Sequence, residues 1–274
     1  MTLAAQDIEY LRALLARNSG NRLAPSHDYL FESRLQHLIR DRGLSSVSHL
    51  VAALRSAPGS ALERSVAEAM TINETSFFRE PAAFDLLRDS LLPALIERRR
   101  APRTLRFWSA ACSSGQEAYS LAMLLREDFS QLVSWSIDIL GTDISAGMIA
   151  RAAAGRYSSV ETGRGLPTSL LLRYMYRAGE EWEVKPSLRS LCRFQPRNLC
   201  MSPPLPQHCD VIFLRNVLLY FPPATRSRVL HTMHRSLAPD GILFLGASEP
   251  MPEDSRWKAI ITPKTVWYRP LPVR

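Results

Sequence analysis

Lysine is almost absent from this 274-residue chain. It occurs only at Lys185, Lys258 and Lys264, so the formal net charge of +8 comes almost entirely from arginine. An excess of positive charge favours an acidic partner, whether nucleic acid, an anionic membrane or an acidic protein. A genomic preference for arginine codons would produce the same count, and the charges are spread along the chain. The charge alone therefore selects no class of partner.

Metal-binding and membrane signals are also missing. The four cysteines are Cys112, Cys192, Cys200 and Cys209. They form no Cys-x-x-Cys pair, which excludes the usual zinc and disulfide patterns. His231 and His234 lack a nearby cysteine or acidic partner, so we predict that they are surface residues. No run of 18 apolar residues and no signal-peptide pattern occurs, and we expect a soluble, cytoplasmic protein.

The most informative stretch predicts a strand, a tight loop and a helix. Leu105 to Trp108 is typical of a short buried strand, and small residues fill the loop from Ser109 to Gly115. Apolar residues then recur at helical spacing from Ala118 to Leu125. In a doubly wound sheet such a loop lets a nucleotide-like ligand approach the backbone. The full Gly-x-Gly-x-x-Gly pattern is not present, so an ordinary strand-to-helix turn stays open as the alternative.

Polar side chains gather at the ends of the first two predicted strands. Two overlapping capping boxes, Ser113 to Gln116 and Ser114 to Glu117, predict the start of the helix. The second strand, Ile137 to Leu140, is followed by a Gly-Thr-Asp sequence that ends at Asp143. An acidic residue there holds ribose hydroxyls in Rossmann-like folds. Asp143 is also typical of an N-cap for a helix over Ile144 to Ala154, and both interpretations remain open.

The periodicity divides the chain into two predicted domains. Residues 1–70 show helical spacing without strand alternation, which predicts an all-helical domain. Residues 71–274 alternate strands with helices, which predicts a mainly parallel sheet. Short β-like pieces over about 173–195, with a turn at Gly179 to Glu181, predict a small antiparallel subdomain. The third strand of the main sheet is predicted to end at Asn198-Leu199. The later strands are predicted to cover Asp210 to Leu214, Ile242 to Leu245 and Thr265 to Tyr268.

A polar and aromatic cluster lies where the two predicted domains meet. Thr71 to Arg79 breaks the helical period, and Pro81 fits the first turn of the next helix. The cluster is either a linker that packs the domains together or part of a site. Because Arg79 follows two phenylalanines directly, we favour a site.

Four segments, in this order, resemble the chemotaxis receptor methyltransferases, the CheR family. They are Asn73 to Glu80, Trp108 to Glu117, Gly141 to Ser145, and Phe213 to Phe221. The resemblance covers essentially the whole chain. It implies an α/β fold, a Rossmann-like class I methyltransferase sheet with a small antiparallel β-subdomain, preceded by an all-α domain. The family often has Glu where Gln116 stands and Pro where Ala118 stands, but neither departure removes an implied cofactor contact.

The resemblance also implies a reaction. The family transfers a methyl group from S-adenosylmethionine to glutamate carboxylates on the cytoplasmic helices of transmembrane chemoreceptors, leaving glutamate methyl esters and S-adenosylhomocysteine. No metal, nucleic acid or membrane insertion is implied. The implied cofactor contacts are Asn73, Thr75, Arg79, Glu117, Asp143, Asn198, Leu199, Arg215 and Asn216. Arg79 and Tyr220 are candidate catalytic residues. Arg79 would order either the cofactor's carboxylate or the incoming glutamate, and Tyr220 would orient the acceptor, although Tyr220 is equally typical of a core aromatic with its hydroxyl at the rim.

Three other functions compete with this interpretation. A nicotinamide-dependent dehydrogenase needs more glycine in the first loop. A nucleic-acid aminomethyltransferase often carries Asn/Asp-Pro-Pro-Tyr/Phe after the fourth strand, where this chain has Arg215 to Leu218. A non-catalytic S-adenosylmethionine-binding sensor or docking module derived from this fold remains the alternative.

The turn of the predicted subdomain bears on how a receptor is recognised. Family members that tether a C-terminal receptor pentapeptide tend to carry a longer, glycine-containing turn there. The segment between Tyr176 and Val184 is short and contains Glu180, Glu181 and Glu183. These carboxylates would repel an acidic peptide end. We therefore predict that the chain binds no such pentapeptide tightly.

Overall fold

The computed structural model describes residues 3–272 of the chain, which form two compact units. The first unit runs through Ile72 and includes Leu219–Arg226. The second comprises Asn73–Leu218 and the chain from Ser227 onward. Periodicity alone does not reveal that a segment so late in the chain clusters with the first unit. The predicted division of the sequence near residue 70 stays a prediction.

The first unit is a small helical bundle. Its helices are α1 (Ala5–Ser19), α2 (Tyr29–Asp41), α3 (Val47–Ser56) and α4 (Ala61–Ala69). Their apolar faces meet in one core that includes the fully buried Leu11, Phe31 and Leu50. Gly43 follows α2 with a φ of 64° and donates its N–H to the carbonyl of Arg40, an arrangement that glycine adopts without strain. The helical prediction for this part of the chain is confirmed.

The second unit contains a seven-stranded sheet. Its strands are β1 (Thr104–Ala110), β2 (Ser136–Asp143), β6 (Cys192–Pro196), β7 (Cys209–Leu214), β8 (Leu237–Leu245), β9 (Trp257–Ile261) and β10 (Val266–Pro270). They lie in the order β6-β2-β1-β7-β8-β10-β9. The first five are parallel, and β10 is antiparallel to both β8 and β9. The predicted α/β class with a mainly parallel sheet is confirmed.

Helices connect these strands. They are α5 (Pro81–Leu86), a π-helical turn (Leu87–Leu91), α6 (Leu92–Arg98), α7 (Gln116–Asp128), α8 (Ala146–Ala154), α9 (Ser159–Gly163), α10 (Thr168–Tyr174), α11 (Pro186–Arg189) and α12 (Pro223–Ser236). Phe107 from one face of β1 joins the same core as Phe84 of α5 and Leu121 of α7. Trp108, on the opposite face, is also fully buried. Coverage of both faces is typical of parallel sheets.

A second, three-stranded sheet has the order β3-β5-β4. The strands β4 (Met175–Ala178) and β5 (Glu181–Val184) form an antiparallel hairpin. The third member, β3 (Arg156–Tyr157), pairs with β5 and comes from earlier in the chain than the predicted subdomain. Cys192–Pro196, part of which we assigned to the subdomain, pairs with β2 in the main sheet. The third main-sheet strand therefore ends at Pro196, before the predicted Asn198-Leu199.

Two further strand predictions need correction. The antiparallel strand β9 was missed, because its Trp-Lys-Ala-Ile-Ile sequence has no clear alternation. The fifth strand was predicted from Ile242, but β8 begins at Leu237 and passes through an irregular pairing with β7 between Cys209 and Val211. Pro239 and Gly241, residues typical of turns, lie between the paired positions Leu237 and Ile242, at that irregularity.

Candidate functional site

The candidate site lies at the carboxyl ends of the central strands. β1 pairs with β2 on one side and with β7 on the other. The chain leaves β1 towards β2 and later returns to β7, so the direction of the strand order changes beside β1. Open α/β sheets bind ligands in the crevice at such a point.

The loop between β1 and α7 is tight and left-handed at three positions. Ala111, Ser113 and Gly115 have φ values of 63°, 49° and 92°. A Cβ atom on Gly115 would lie 2.8 Å from the Cβ atom of Ala152, so glycine is required there for space as well as for φ. Ser109, which we predicted to be in the loop, lies in β1. The loop therefore runs from Ala111 to Gly115.

The predicted capping boxes are wrong. The N-cap of α7 is Gly115, which has no side chain. The Ser113 hydroxyl instead donates to the carbonyl of Asn73 at 2.8 Å, and the Ser114 hydroxyl donates to the Gln116 side chain at 2.9 Å. Ser113 thus joins the loop to the segment that precedes α5.

Asp143 ends β2 and faces this loop. Its carboxylate accepts the backbone N–H of Ser113 at 2.8 Å and that of Ser145 at 2.9 Å, one on each oxygen. The residue is 6% exposed, and burial raises the pKa of the carboxyl group. The N-cap of α8 is Ser145, whose hydroxyl accepts the N–H of Met148, so the capping interpretation of Asp143 is wrong. The backbone N–H of Ile144 also hydrogen-bonds to this carboxylate. Three backbone donors therefore occupy most of its roughly four acceptor positions.

A buried arginine joins the ends of β1 and β7. The Arg215 side chain is 1% exposed, and its Nη1 lies 3.0 Å from the Glu117 carboxylate. The other oxygen of Glu117 accepts the Ser109 hydroxyl at 2.7 Å. The guanidinium carbon of Arg215 lies 5.7 Å from the ring centres of both Phe84 and Phe213. Within residues 3–272 its Nε atom, which is buried, has no hydrogen-bond partner.

Two acidic residues that the sequence did not single out complete this cluster. Glu80 accepts Nη2 of Arg215 and Nδ2 of Asn216, each at 3.0 Å. Glu249 accepts the backbone N–H of Asn216 at 2.5 Å and that of Gly246 at 3.0 Å. Glu80 lies inside the first resemblance segment, and its place next to Arg79 is the one sequence signal that could have identified it.

The segment before α5 lies against the β1–α7 loop and the start of α7. Besides the bond from Ser113, the N–H of Phe78 donates to the hydroxyl of Ser120 on α7 at 2.9 Å. Arg79 is half-buried, and its Nη1 donates to the carbonyl of Glu74 at 2.9 Å. Thr75 is half-buried in the same segment. The bond to the Glu74 carbonyl holds Arg79 beside the crevice, and the guanidinium group has other N–H donors besides the one that it uses.

The remaining predicted residues divide into two groups. Asn198 and Leu199 follow β6, and the preceding Arg197 donates its N–H to the carbonyl of Asp143 at 2.7 Å, which places the pair beside the end of β2. Tyr220 belongs to the first unit, where its carbonyl accepts the N–H of Arg22 at 3.1 Å. The catalytic role of Tyr220 stays a prediction.

Metal-ligating side chains do not cluster in the part of the chain that the structure describes, where no group of three or more His, Cys, Asp and Glu could hold an ion. His231 is exposed as predicted. His234 is half-buried and contacts the carbonyl of Leu271 at 2.8 Å and the ring of Trp257, so the surface assignment of this histidine is wrong. None of the helices within residues 3–272 is long and apolar enough to span a bilayer.

Comparisons with known proteins cover both units. Residues 6–71 match the family described as CheR methyltransferase, all-alpha domain, and residues 73–266 match CheR methyltransferase, SAM binding domain. Chemotaxis protein methyltransferase 1 of Pseudomonas aeruginosa is 40% identical over 254 residues, which is 91% of this chain and 92% of that protein. Chemotaxis protein methyltransferase Cher2 of Pseudomonas putida is 38% identical with the same coverage. The chemotaxis protein methyltransferase of Vibrio parahaemolyticus is 38% identical over 91% of this chain and 90% of that protein.

Proposed function

We propose that this chain, which belongs to the CheR methyltransferase family, methylates glutamate carboxylates on the cytoplasmic helices of chemoreceptors. The chain is an S-adenosylmethionine-dependent methyltransferase. The products of the proposed reaction are glutamate methyl esters and S-adenosylhomocysteine. The names of the related proteins support a chemotaxis substrate, and the choice of glutamate is our proposal.

The main support for this proposal is the site that would bind the cofactor. At its centre, the buried Asp143 carboxylate lies opposite the β1–α7 loop. Its remaining acceptor capacity fits a ribose hydroxyl of a nucleoside cofactor, and hydroxyl-to-carboxylate bonds are charge-assisted and strong. Small residues and left-handed φ values from Ala111 to Gly115 keep side chains out of the approach to the backbone. The other residues proposed to hold the cofactor are Asn73, Thr75, Arg79, Glu117, Asn198, Leu199, Arg215 and Asn216.

The acceptor chemistry needs alignment rather than a base. S-adenosylmethionine supplies a methyl group activated by its sulfonium sulfur. A glutamate side chain has a pKa of about 4.3 and is already ionised near neutral pH, so no residue must remove a proton from it. We propose that Arg79 holds that carboxylate in a fixed fork, and that Tyr220 orients it. Holding the carboxylate in line and excluding water then lower the barrier.

Methyl transfer to receptor-containing membranes tests the proposal. The purified protein is incubated with S-adenosylmethionine carrying a tritiated methyl group, and the labelled receptor is then treated with mild base. We expect the label to be released as methanol, because base hydrolyses carboxylate methyl esters but not N-methyl groups. Membranes without chemoreceptors serve as the control and should stay unlabelled.

Other outcomes of this experiment have defined meanings. Label that resists base would contradict glutamate as the acceptor. A protein that binds S-adenosylhomocysteine yet labels no receptor would identify a non-catalytic binding module instead.

The β4–β5 hairpin supports recognition of receptors without a tight pentapeptide tether. Its turn contains only Gly179 and Glu180 between the strands. Glu183, which we expected to repel an acidic peptide, is buried and forms ion pairs with Arg156 at 2.9 Å and Arg189 at 3.2 Å. The repulsion therefore comes from the exposed Glu180 and Glu181 alone.

We expect a free acidic pentapeptide ending in an aromatic residue to show no saturable binding up to millimolar concentration in calorimetry. Adding it as an edge strand to β4 would bring its acidic end towards Glu180 and Glu181. The double variant Glu180→Gln, Glu181→Gln separates charge from turn length, because it removes the charge and leaves the turn short. A micromolar dissociation constant for the unaltered protein would contradict the prediction.

A further inference from the structure

We propose that Glu80 is a positioning residue of the cofactor site, and that it acts by fixing Arg215 and Asn216. The inference rests on the proposed cofactor-binding roles of those two residues. It assigns a role to a carboxylate that belongs to neither the predicted cofactor contacts nor the predicted catalytic residues.

The Glu80 carboxylate joins three parts of the second unit. Oε2 accepts Nη2 of Arg215 at 3.0 Å and the backbone N–H of Ala247 at 2.9 Å, while Oε1 accepts Nδ2 of Asn216 at 3.0 Å. Arg215 and Asn216 follow β7, Ala247 follows β8, and Glu80 itself is the N-cap residue of α5. One side chain thus connects the start of α5 to the ends of two neighbouring strands.

The charge of Glu80 suits this role. Burial opposes ionisation, but hydrogen bonds from Asn216, Arg215 and Ala247 outweigh it and lower the pKa of the carboxyl group. The group is therefore ionised at neutral pH, and all of its three hydrogen-bond partners are donors. An amide in its place offers one acceptor oxygen, so at least one of these donors would face an N–H group.

The backbone around Glu80 shows that the contact also fixes its neighbour. Glu80 has a φ of 52°, which is a strained value for a residue with a side chain. Nη2 of Arg215 donates to the carbonyl of Arg79 at 2.5 Å, next to its bond with Glu80. The Glu80–Arg215 pair therefore holds the turn from which the Arg79 side chain projects.

Asn216 is held from a second direction. Its φ is 57°, and Glu249 accepts its backbone N–H together with that of Gly246. A Cβ atom on Gly246 would lie 2.6 Å from Oε2 of Glu249 and 2.8 Å from Nδ2 of Asn216. Gly246 thus leaves the space that the side chains of Asn216 and Glu249 occupy. Altering an acceptor of this cluster should shift the side chains that it orients.

The test is the affinity for S-adenosylhomocysteine of four proteins in calorimetry: unaltered, Glu80→Gln, Asn216→Ala, and the double variant. We expect Glu80→Gln to weaken binding about tenfold, because a charge-assisted contact that orients two binding residues is lost. In the Asn216→Ala background, Glu80→Gln should cost less than about threefold, because residues that act through one another give non-additive effects. A merely structural role of Glu80 would give additive losses.

Glu161→Gln is the matched control. The Glu161 and Glu80 side chains are each 29% exposed, and each forms an ion pair with one arginine, Arg151 in the case of Glu161. Glu161 caps α9, where it binds Ser158 and Arg151, neither of which is a proposed cofactor residue. We expect this variant to bind S-adenosylhomocysteine within twofold of the unaltered protein. Gly246→Ala provides a second disturbance of the cluster that removes no polar group, and it should also weaken binding.

Three results would overturn the inference: Glu80→Gln binding within twofold of the unaltered protein, an additive double variant, or an equal loss in Glu161→Gln. Thermal unfolding of each variant confirms that the proteins compared are folded. If Glu80→Gln does not fold, Glu80→Asp decides, because it keeps the charge but withdraws the carboxylate from Arg215 and Asn216, with unchanged affinity as the contrary result. Failure of the unaltered protein to bind S-adenosylhomocysteine would instead overturn the proposed function, and the inference with it.

Discussion

The substitution Asp143→Asn is expected to weaken binding of S-adenosylhomocysteine by about 10- to 150-fold, which corresponds to about 1.5–3 kcal/mol. The variant loses the charge that strengthens bonds from ribose hydroxyls. Its amide also directs an N–H group at the backbone N–H of either Ser113 or Ser145, both of which donate to Asp143. The β1–α7 loop would therefore shift as well.

Asp138→Asn is the control, because Asp138 lies on the same strand, β2, and forms an exposed ion pair with Arg193. We expect its affinity for S-adenosylhomocysteine to equal that of the unaltered protein. Calorimetry on folded proteins decides the matter. If Asp143→Asn bound S-adenosylhomocysteine as tightly as Asp138→Asn does, Asp143 would have no place in the cofactor site.

The substitution Arg215→Ala is expected to destabilise the protein by about 3–5 kcal/mol and to abolish methyl transfer. Removing one partner of a buried ion pair leaves an uncompensated charge, which costs this much. Here the Glu117 and Glu80 side chains, 14% and 29% exposed, lose the same guanidinium. Urea unfolding measures the free energy of unfolding, and labelled methyl transfer measures activity.

Arg193→Ala offers a matched comparison, because the Arg193 side chain is 54% exposed and forms an ion pair with Asp138. Exposed ion pairs contribute at most about 1 kcal/mol. If Arg215→Ala lowered the free energy of unfolding by no more than Arg193→Ala does, Arg215 would not be the centre of a buried network. Full activity in Arg215→Ala would remove it from the proposed site.

Local hydrogen-bond predictions failed where tertiary partners compete for the same side chains. Ser113, Ser114 and Glu117 match capping boxes, which require only a helix that begins nearby. In the folded protein Glu117 is bound by Ser109 and Arg215, and Ser113 is bound by Asn73. Partners such as Arg215 are distant in sequence, so no local sequence pattern predicts these hydrogen bonds.

The sequence by itself determined the elements whose signals are local. Apolar spacing marked the helices of the first unit and the buried strands, since a core-facing residue must recur with the period of its element. The strand, small-residue loop and helix predicted a ligand crevice after β1, and the four ordered segments pointed to the family. Weak local signals left β3 and β9 unseen, because two residues cannot show a period and Trp257–Ile261 does not alternate.

Only the tertiary structure decided which polar residues form one cluster. It joined Glu80, Arg215, Asn216 and Glu249 through hydrogen bonds, and it assigned Leu219–Arg226 to the helical unit. It also showed that Ser145 rather than Asp143 caps α8, while the role of Asp143 as a ligand acceptor stays a prediction. The physical reason is the same in each case: hydrogen bonds and ion pairs act over about 3 Å in space and are indifferent to separation along the chain.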